Sequence, residues 1–362
     1  MATILIDLCH PGDIHLFRRA GLAWQSQGHR VVYSSLDRES NAYLLNHYGL
    51  PHRVIWKRRH GKLALLTELL LRPWPLLRLI RDVKADLVLS FGSMTVAFAA
   101  WLLGKPTITF TDTEHATEQH LLFKPFSTLV ATPDVYRGDF GPKHVRYRAY
   151  HELFYLHPEE FTPDWKELEP LGLAPETPFF VVRFVAWGAT HDIGAHGFTA
   201  AHKRDLLRVL SSHGRVLLSV EGGRPDPEFR SMSTSFPPEK VHHLLAFAGL
   251  YVGEGATMAS EAAVLGTPAI YVNSLTMGYI EDEQRYGLVH HFTNGRAAFD
   301  KVRELLTTPA LRASYAERRA RLLADKINPT PWLVALGNHL LENRRTTPKV
   351  RLNGRPEVPP RV

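Results

Sequence analysis

Apolar residues along this chain fall into short unbroken runs, each followed by a longer stretch where they recur every three or four positions. The runs Thr3–Leu8, Arg30–Ser35, Asp86–Ser90, Thr107–Phe110 and Leu129–Thr132 predict buried strands. The periodic stretches predict helices over Ile14–Gln27, stopped at Gly28, over Ser40–His47 and over Ala97–Leu103. Such alternation implies right-handed crossovers and a parallel sheet covered on both faces. A second series has strands at Phe179–Val185, Val216–Val220, Val241–Leu245, Leu250–Val252 and Ala269–Val272. Its helices are Ala200–Ser211, Met258–Leu265, Ala297–Leu306 and Leu311–Asp325, and a last helix after Pro331 is expected to pack back on the first domain. Between the two series, Pro158, Pro163, Pro170, Pro175 and Pro178 punctuate a stretch without sustained period. The expected layout is therefore a domain over 1–155, a linker over 156–178, a domain over 179–343 and a disordered tail over 344–362.

Composition narrows this picture little. The 362 residues are 44% hydrophobic and 22% charged, which suits two soluble domains with real cores. One cysteine, Cys9, excludes a disulfide framework within the chain. Asp7 interrupts the first apolar run, no basic segment precedes it, and no run reaches the roughly 18 apolar residues of a membrane span. A cytoplasmic location is the expectation.

Charge says more about partners. The net charge of +7 favours acidic ones, such as phosphorylated small molecules or an anionic lipid surface. Part of the excess is Lys57, Arg58, Arg59, Lys62, Arg72, Arg78 and Arg81. From Ile55 to Lys84 these basic residues alternate with leucines and Trp74, and Pro73 and Pro75 break the helix in two. That pattern fits either a peripheral contact with the inner face of a membrane or two ordinary helices packed on a sheet. No zinc-finger spacing, RNP-type strand or basic zipper points to nucleic acid. Twenty histidines form no metal-ligand spacing, the pairs His242-His243 and His290-His291 diverging on regular elements, so neither metal nor cofactor is expected.

The densest local signal is the stretch 250–273, in which a strand runs into Gly253-Glu254-Gly255-Ala256-Thr257 and a helix opens near Met258. Small residues let the backbone approach a ligand, and the free first-turn amides favour an anion. Glu261, one turn on, could accept hydrogen bonds from ribose hydroxyls. Any strand–helix crossover can carry such glycines, so this local reading alone stays open.

The stretch resembles the nucleotide-sugar loop of GT-B glycosyltransferases and of the non-hydrolysing UDP-N-acetylglucosamine 2-epimerases. Through CHPGDIHLF, FTDTEHA, AYHELFYLHP, VAWGATHDIG and GEGATMASEAAVLGTPAI, the chain from Met1 to about Asn343 is similar to an uncharacterised GT-B-like family, domain of unknown function 354. The resemblance implies an α/β fold of two doubly wound Rossmann-type domains facing a central cleft. It also implies that Gly255, Ala256, Thr257 and Met258 hold the phosphates of a nucleotide-sugar and Glu261 its ribose. The expected partners are that donor, UDP-linked by preference, and a glycan or lipid-linked acceptor.

Further candidates sit at strand ends, where ligands of such sheets gather. His10, Gly12 and His15 follow the first strand, and His15 is a candidate base, although both histidines could equally cap or pad the helix. Asp112 and Glu114 follow the strand Thr107–Phe110; Glu114 stands where the epimerases carry a glutamate, while Asp112 could cap the next helix. Gly92 and Ser93 follow Asp86–Ser90. The epimerases have Gly-Asp there, and a hydroxyl cannot replace that carboxylate as a proton acceptor, which favours transfer over epimerisation. In the second domain Arg183, His191 and Arg224 are further candidates, and the acidic run Glu281–Glu283 is either donor contact or a solvated helix start. A transferase for surface polysaccharide is the preferred reading. An epimerase and a non-catalytic nucleotide-sugar-binding subunit are the alternatives.

Overall fold

The computed structural model describes residues 1–57, 61–184, 197–221, 226–234 and 236–346. The candidates His191 and Arg224, the basic residues Arg58 and Arg59, and the tail beyond 346 lie outside the described residues. The chain divides into two compact units, one formed by Met1–Tyr155 with Asn328–Val362 and the other by Leu156–Ile327.

The first unit starts with β1 (Thr3–Leu8), α1 (Pro11–Ser26), β2 (Arg30–Asp37), α2 (Glu39–His47) and β3 (His52–Lys57). It continues with α3 (Lys62–Leu71), α4 (Pro73–Val83), β4 (Leu87–Phe91), α5 (Met94–Leu102) and β5 (Thr107–Phe110). It then runs through α6 (Thr117–Phe123), β6 (Leu129–Pro133), β7 (His144–Tyr147) and the short turn α7 (Leu153–Leu156). The seven strands form one sheet in the order β3-β2-β1-β4-β5-β6-β7, and every pairing is parallel. Strands buried on both faces must be apolar throughout, which is why β1, β4 and β5 read as unbroken runs. One face packs Leu5 and Val88 against Leu76, Ile80, Val96 and Ala100 of α4 and α5.

The second unit holds β8 (Phe179–Phe184), α8 (Ala200–Ser211), β9 (Arg215–Val220), α9 (Val241–Phe247) and β10 (Leu250–Gly253). After these come α10 (Ala256–Leu265), β11 (Ala269–Val272), α11 (Gly278–Arg285), β12 (Val289–Phe292), α12 (Gly295–Thr307) and α13 (Leu311–Asp325). Its five parallel strands run β12-β11-β10-β8-β9. Val241–Leu245, read above as a strand, is helical. Its backbone carbonyls are met by a helix-end bond and by the Thr267 hydroxyl rather than by a ladder. Helix α10 ends on Gly266 with φ +84°, a left-handed position that favours glycine, and the Arg319 guanidinium donates to the Val264 carbonyl of its last turn.

The last helix, α14 (Pro329–Thr346), returns to the first unit and lies on α1 and β4. A Cβ on its Gly337 would stand 2.5 Å from the ring of Trp24, which is fully buried, so only glycine permits this approach. The Thr330 hydroxyl donates to the Phe154 carbonyl at 3.1 Å and ties the helix start to the end of the sheet layer.

Candidate functional site

Each sheet has one place where strand order reverses, between β1 and β4 in the first unit and between β8 and β10 in the second. Ligands of open α/β sheets bind beyond the carboxyl ends of the strands at that reversal. His10, Gly12, His15, Gly92 and Ser93 fall at the first of these places and Gly255 to Met258 with Glu261 at the second, while Asp112 and Glu114 follow β5, one strand further along the sheet.

In the first unit, His10 is the N-cap of α1. Its Nδ1 accepts from the Gly12 amide at 3.3 Å, while Asp13 accepts from the amides of Cys9 and His10 at 2.8 and 2.9 Å. This reciprocal box settles two orphan donors of the helix start. Asp13 is buried, and burial pushes its carboxyl up to about 7 against the opposing pull of those two amides. His15, the candidate base, is also buried, its ring 5.9 Å from Tyr48 and 5.4 Å from Tyr155.

Between the ends of β1 and β4 lies a buried charge pair that sequence reading did not link. Arg72, at the junction of α3 and α4, is only 2% exposed and contacts Asp7 of β1 at 2.6 Å. Its other nitrogen donates to Ser93 at 3.4 Å and Thr95 at 3.1 Å, and Ser34 donates to the far oxygen of Asp7 at 2.7 Å. The Cys9 sulfur, 3.3 Å from Arg72 and 3.1 Å from Asp7, completes the cluster, and burial pushes its thiol up. Arg72 itself keeps helical φ/ψ, its amide donating to the Glu68 carbonyl and its own carbonyl accepting from the Leu76 amide across Pro73. Ser93 accepts from the Val96 amide and caps α5, so the hydroxyl standing where the epimerases carry an aspartate is a helix cap. Gly92 has φ +55°, which favours glycine at this bend.

After β5, Asp112 does not cap α6, whose N-cap is Ala116. Its carboxylate takes the Thr113 hydroxyl at 2.8 Å and lies 3.4 Å from Nδ1 of His151, a residue not singled out from sequence. The His151 ring packs against Phe91, Phe110 and Phe154, and burial lowers its pKa. Glu114 accepts from the Arg137 amide at 3.3 Å with the guanidinium 3.7 Å away.

In the second unit, the turn after β10 opens α10 as expected, with Gly255 as N-cap in extended conformation. Gly255, Ala256 and Met258 are half-buried and Thr257 is exposed. Gly253 owes its identity to packing, because a Cβ there would lie 2.1 Å from the Tyr251 hydroxyl and 2.9 Å from the Arg183 carbonyl. Glu254 is buried, accepting from the Phe198 amide at 2.9 Å and from Lys203 at 3.1 Å. Glu261 is 6% exposed and its Oε1 lies 3.0 Å from Nε2 of His242 on α9. Arg183 lies across β9, donating to Ser219 at 3.1 Å and Glu221 at 2.9 Å.

The acidic run is not a solvated helix start. Asp282 binds Lys326 at 2.9 Å, and Glu283 is wholly buried, accepting from the Ser260 hydroxyl of α10. Burial pushes the Glu283 carboxyl up to about 8 against the opposing pull of the Ser260 hydroxyl.

Two parallel doubly wound sheets, each with its strand-order reversal, define a GT-B-like α/β protein. The UDP-bound structure of MnaA from S. aureus is similar over 96% of this chain and 98% of its own, with a TM-score of 0.67 at 11% identity. A putative UDP-N-acetylglucosamine 2-epimerase from Listeria monocytogenes gives 0.67 over 97% and 100% at 12% identity. MurG from Acinetobacter baumannii gives 0.55 over 94% and 100% at 15% identity. Residues 2–151 match the model of a family described as "Protein of unknown function (DUF354)". An uncharacterized protein of Methanocaldococcus jannaschii is 22% identical over 287 residues, covering 74% of this chain and 80% of that protein.

Proposed function

We propose that the protein is a glycosyltransferase that takes a sugar from a UDP-linked donor and passes it to a glycan or lipid-linked acceptor in surface polysaccharide synthesis. The observation that carries this reading is the position of α10. Its half-buried first turn, Gly255 to Met258, opens beyond β10 at the strand-order reversal, with the Glu261 carboxylate one turn along. First-turn amides suit a diphosphate, and a buried carboxylate suits the adjoining ribose diol. In the transfer step the acceptor hydroxyl attacks the anomeric carbon and its proton passes to a base. The bond from that carbon to the diphosphate oxygen breaks, and the α10 amides offset the charge left on the diphosphate. Glu114 is the preferred base over His15, whose ring is buried between Tyr48 and Tyr155. No metal or cofactor is assigned to this step.

A lipid-linked acceptor would place the protein at the inner face of a membrane. On α3 and α4, Leu66, Leu70, Leu71 and Trp74 are exposed, Trp74 at 65%, and Arg78 and Arg81 beside them are exposed too. Such a surface suits an anionic interface. Among the described residues no helix is long and apolar enough to cross a membrane.

Epimerisation of the donor itself is the second reading, supported by Glu114 and by the fold shared with the 2-epimerase. It requires no acceptor and would incorporate solvent deuterium into the sugar. The test of the donor site is a thermal-shift titration with UDP, GDP, CDP, ADP and their sugars, beside Glu261→Ala. A ligand at about 100 times its Kd stabilises the native state by roughly 2.7 kcal/mol. A shift with uridine nucleotides alone, lost in the variant, is expected; no shift with any nucleotide refutes the proposal.

A further inference from the structure

Helix α9 contributes a histidine to the base of the α10 turn. His242 and Glu261 are 5% and 6% exposed, and Nε2 stands 3.0 Å from Oε1. An ionised carboxylate only accepts, so the proton of this contact belongs on Nε2 and the imidazole donates. The ring is fixed in turn: Phe161 stands edge-on to it at 6.0 Å, and the next residue, His243, accepts the Asp164 amide at 2.9 Å. The Thr267 hydroxyl holds the Leu245 carbonyl, pinning α9 to the loop that follows α10. Glu261 is thus held by a ring on a helix that two neighbouring segments, residues 161–164 and the loop at Thr267, hold in place.

Glu261 lies five residues beyond Ala256, about 7.5 Å along the helix axis, which is the scale of the distance from a nucleotide's phosphate to its ribose diol. We infer that His242 is a positioning residue that orients the Glu261 carboxylate toward the ribose 2′-hydroxyl, making the site selective for ribonucleotides. This rests on the donor reading above and adds to it the residue that sets sugar discrimination within the nucleotide. A site built around a fixed buried acceptor rejects a ligand lacking the matching hydroxyl, because the acceptor is then left without its partner. If the carboxylate can rotate, the same ligand is tolerated, so discrimination depends on His242 as well as on Glu261.

The test is calorimetric titration of the full chain with UDP and with 2′-deoxyuridine diphosphate, for the native protein, His242→Phe, His242→Asn and His242→Gln. The native protein is expected to prefer UDP by about tenfold or more. His242→Phe keeps a ring but loses the donor, and should bring the two affinities to within about twofold. His242→Asn, whose amide is too short to reach Oε1, should do the same and serves if the first variant does not fold. His242→Gln, whose amide nitrogen can occupy the place of Nε2, should restore most of the preference. A structural role alone would weaken both nucleotides equally. A preference that survives in both His242→Phe and His242→Asn overturns the inference and leaves the donor site standing. Absence of binding by either nucleotide to the native protein removes the donor site and the inference with it.

Discussion

Replacing Glu283 by glutamine should flatten the pH dependence of stability of the second unit. The carboxyl is wholly buried between α10 and α11, with Ser260 donating to it and Lys326 engaged by the neighbouring Asp282. Burial holds its pKa near 8 in the folded protein against 4.5 in the open chain. Because the folded value is raised, the native state binds the extra proton, so this group's contribution is full below pH 4.5 and is lost as pH climbs toward 8. The span from 4.5 to about 8 corresponds to about 5 kcal/mol at roughly 1.4 kcal/mol per pH unit, most of it falling between pH 5 and 8. Glutamine keeps the shape and an acceptor for Ser260 but cannot ionise. Urea titrations at half-unit steps from pH 5 to 9 would measure the difference. The native protein should lose several kcal/mol more than the variant over that range, through the midpoint at constant slope. Parallel pH profiles would mean that Glu283 ionises in the folded state without penalty, and would refute the argument.

Other consequences are as direct. Arg72→Met leaves the Asp7 carboxylate buried without its cation and should cost the first unit about 3–5 kcal/mol, read from urea midpoints; a loss below about 1 kcal/mol would show that the pair is solvated. Asp13→Asn keeps a cap acceptor yet removes a group held near 7, so the fall in stability of the first unit between pH 4 and 7 should shrink. Thermal melts across that range check it. Trp74→Ser with Leu70→Ser should abolish cosedimentation with vesicles containing anionic phospholipid while leaving the melting temperature within a few degrees, since both side chains are exposed.

The sheet centres were legible because strands covered on both faces admit almost nothing but apolar residues, and β1, β4, β5, β10 and β11 accordingly read as runs. The strands that sequence reading passed over, β3, β7 and β12, are all edge strands. An edge strand is covered on fewer sides, so HRVIWK and VHHF can afford the polar residues that break the pattern. Val241–Leu245 was misread for another reason. A five-residue segment has no period to measure, and its two histidines fit a strand as well as a helix. Candidate residues were located at strand ends more readily than their tasks. Ser93 and His10 satisfy helix amides, and Arg72 faces inward to Asp7, 65 residues earlier, a pairing invisible in sequence. The partners that matter most, His151 for Asp112 and His242 for Glu261, lie 39 and 19 residues away, and no local spacing links them.

The last helix carries a consequence for how the molecule comes into being. Trp24 and the face of α1 are closed by α14, which follows residue 327, so synthesis must pass through the whole second unit before the first can seal. The second unit is continuous in sequence and can fold while still attached to the ribosome. The first emerges earlier yet finishes later, waiting with an indole and a strip of sheet uncovered until α14 has been made. A frameshift or stop codon ahead of Gly337 would therefore damage the part of the protein made first.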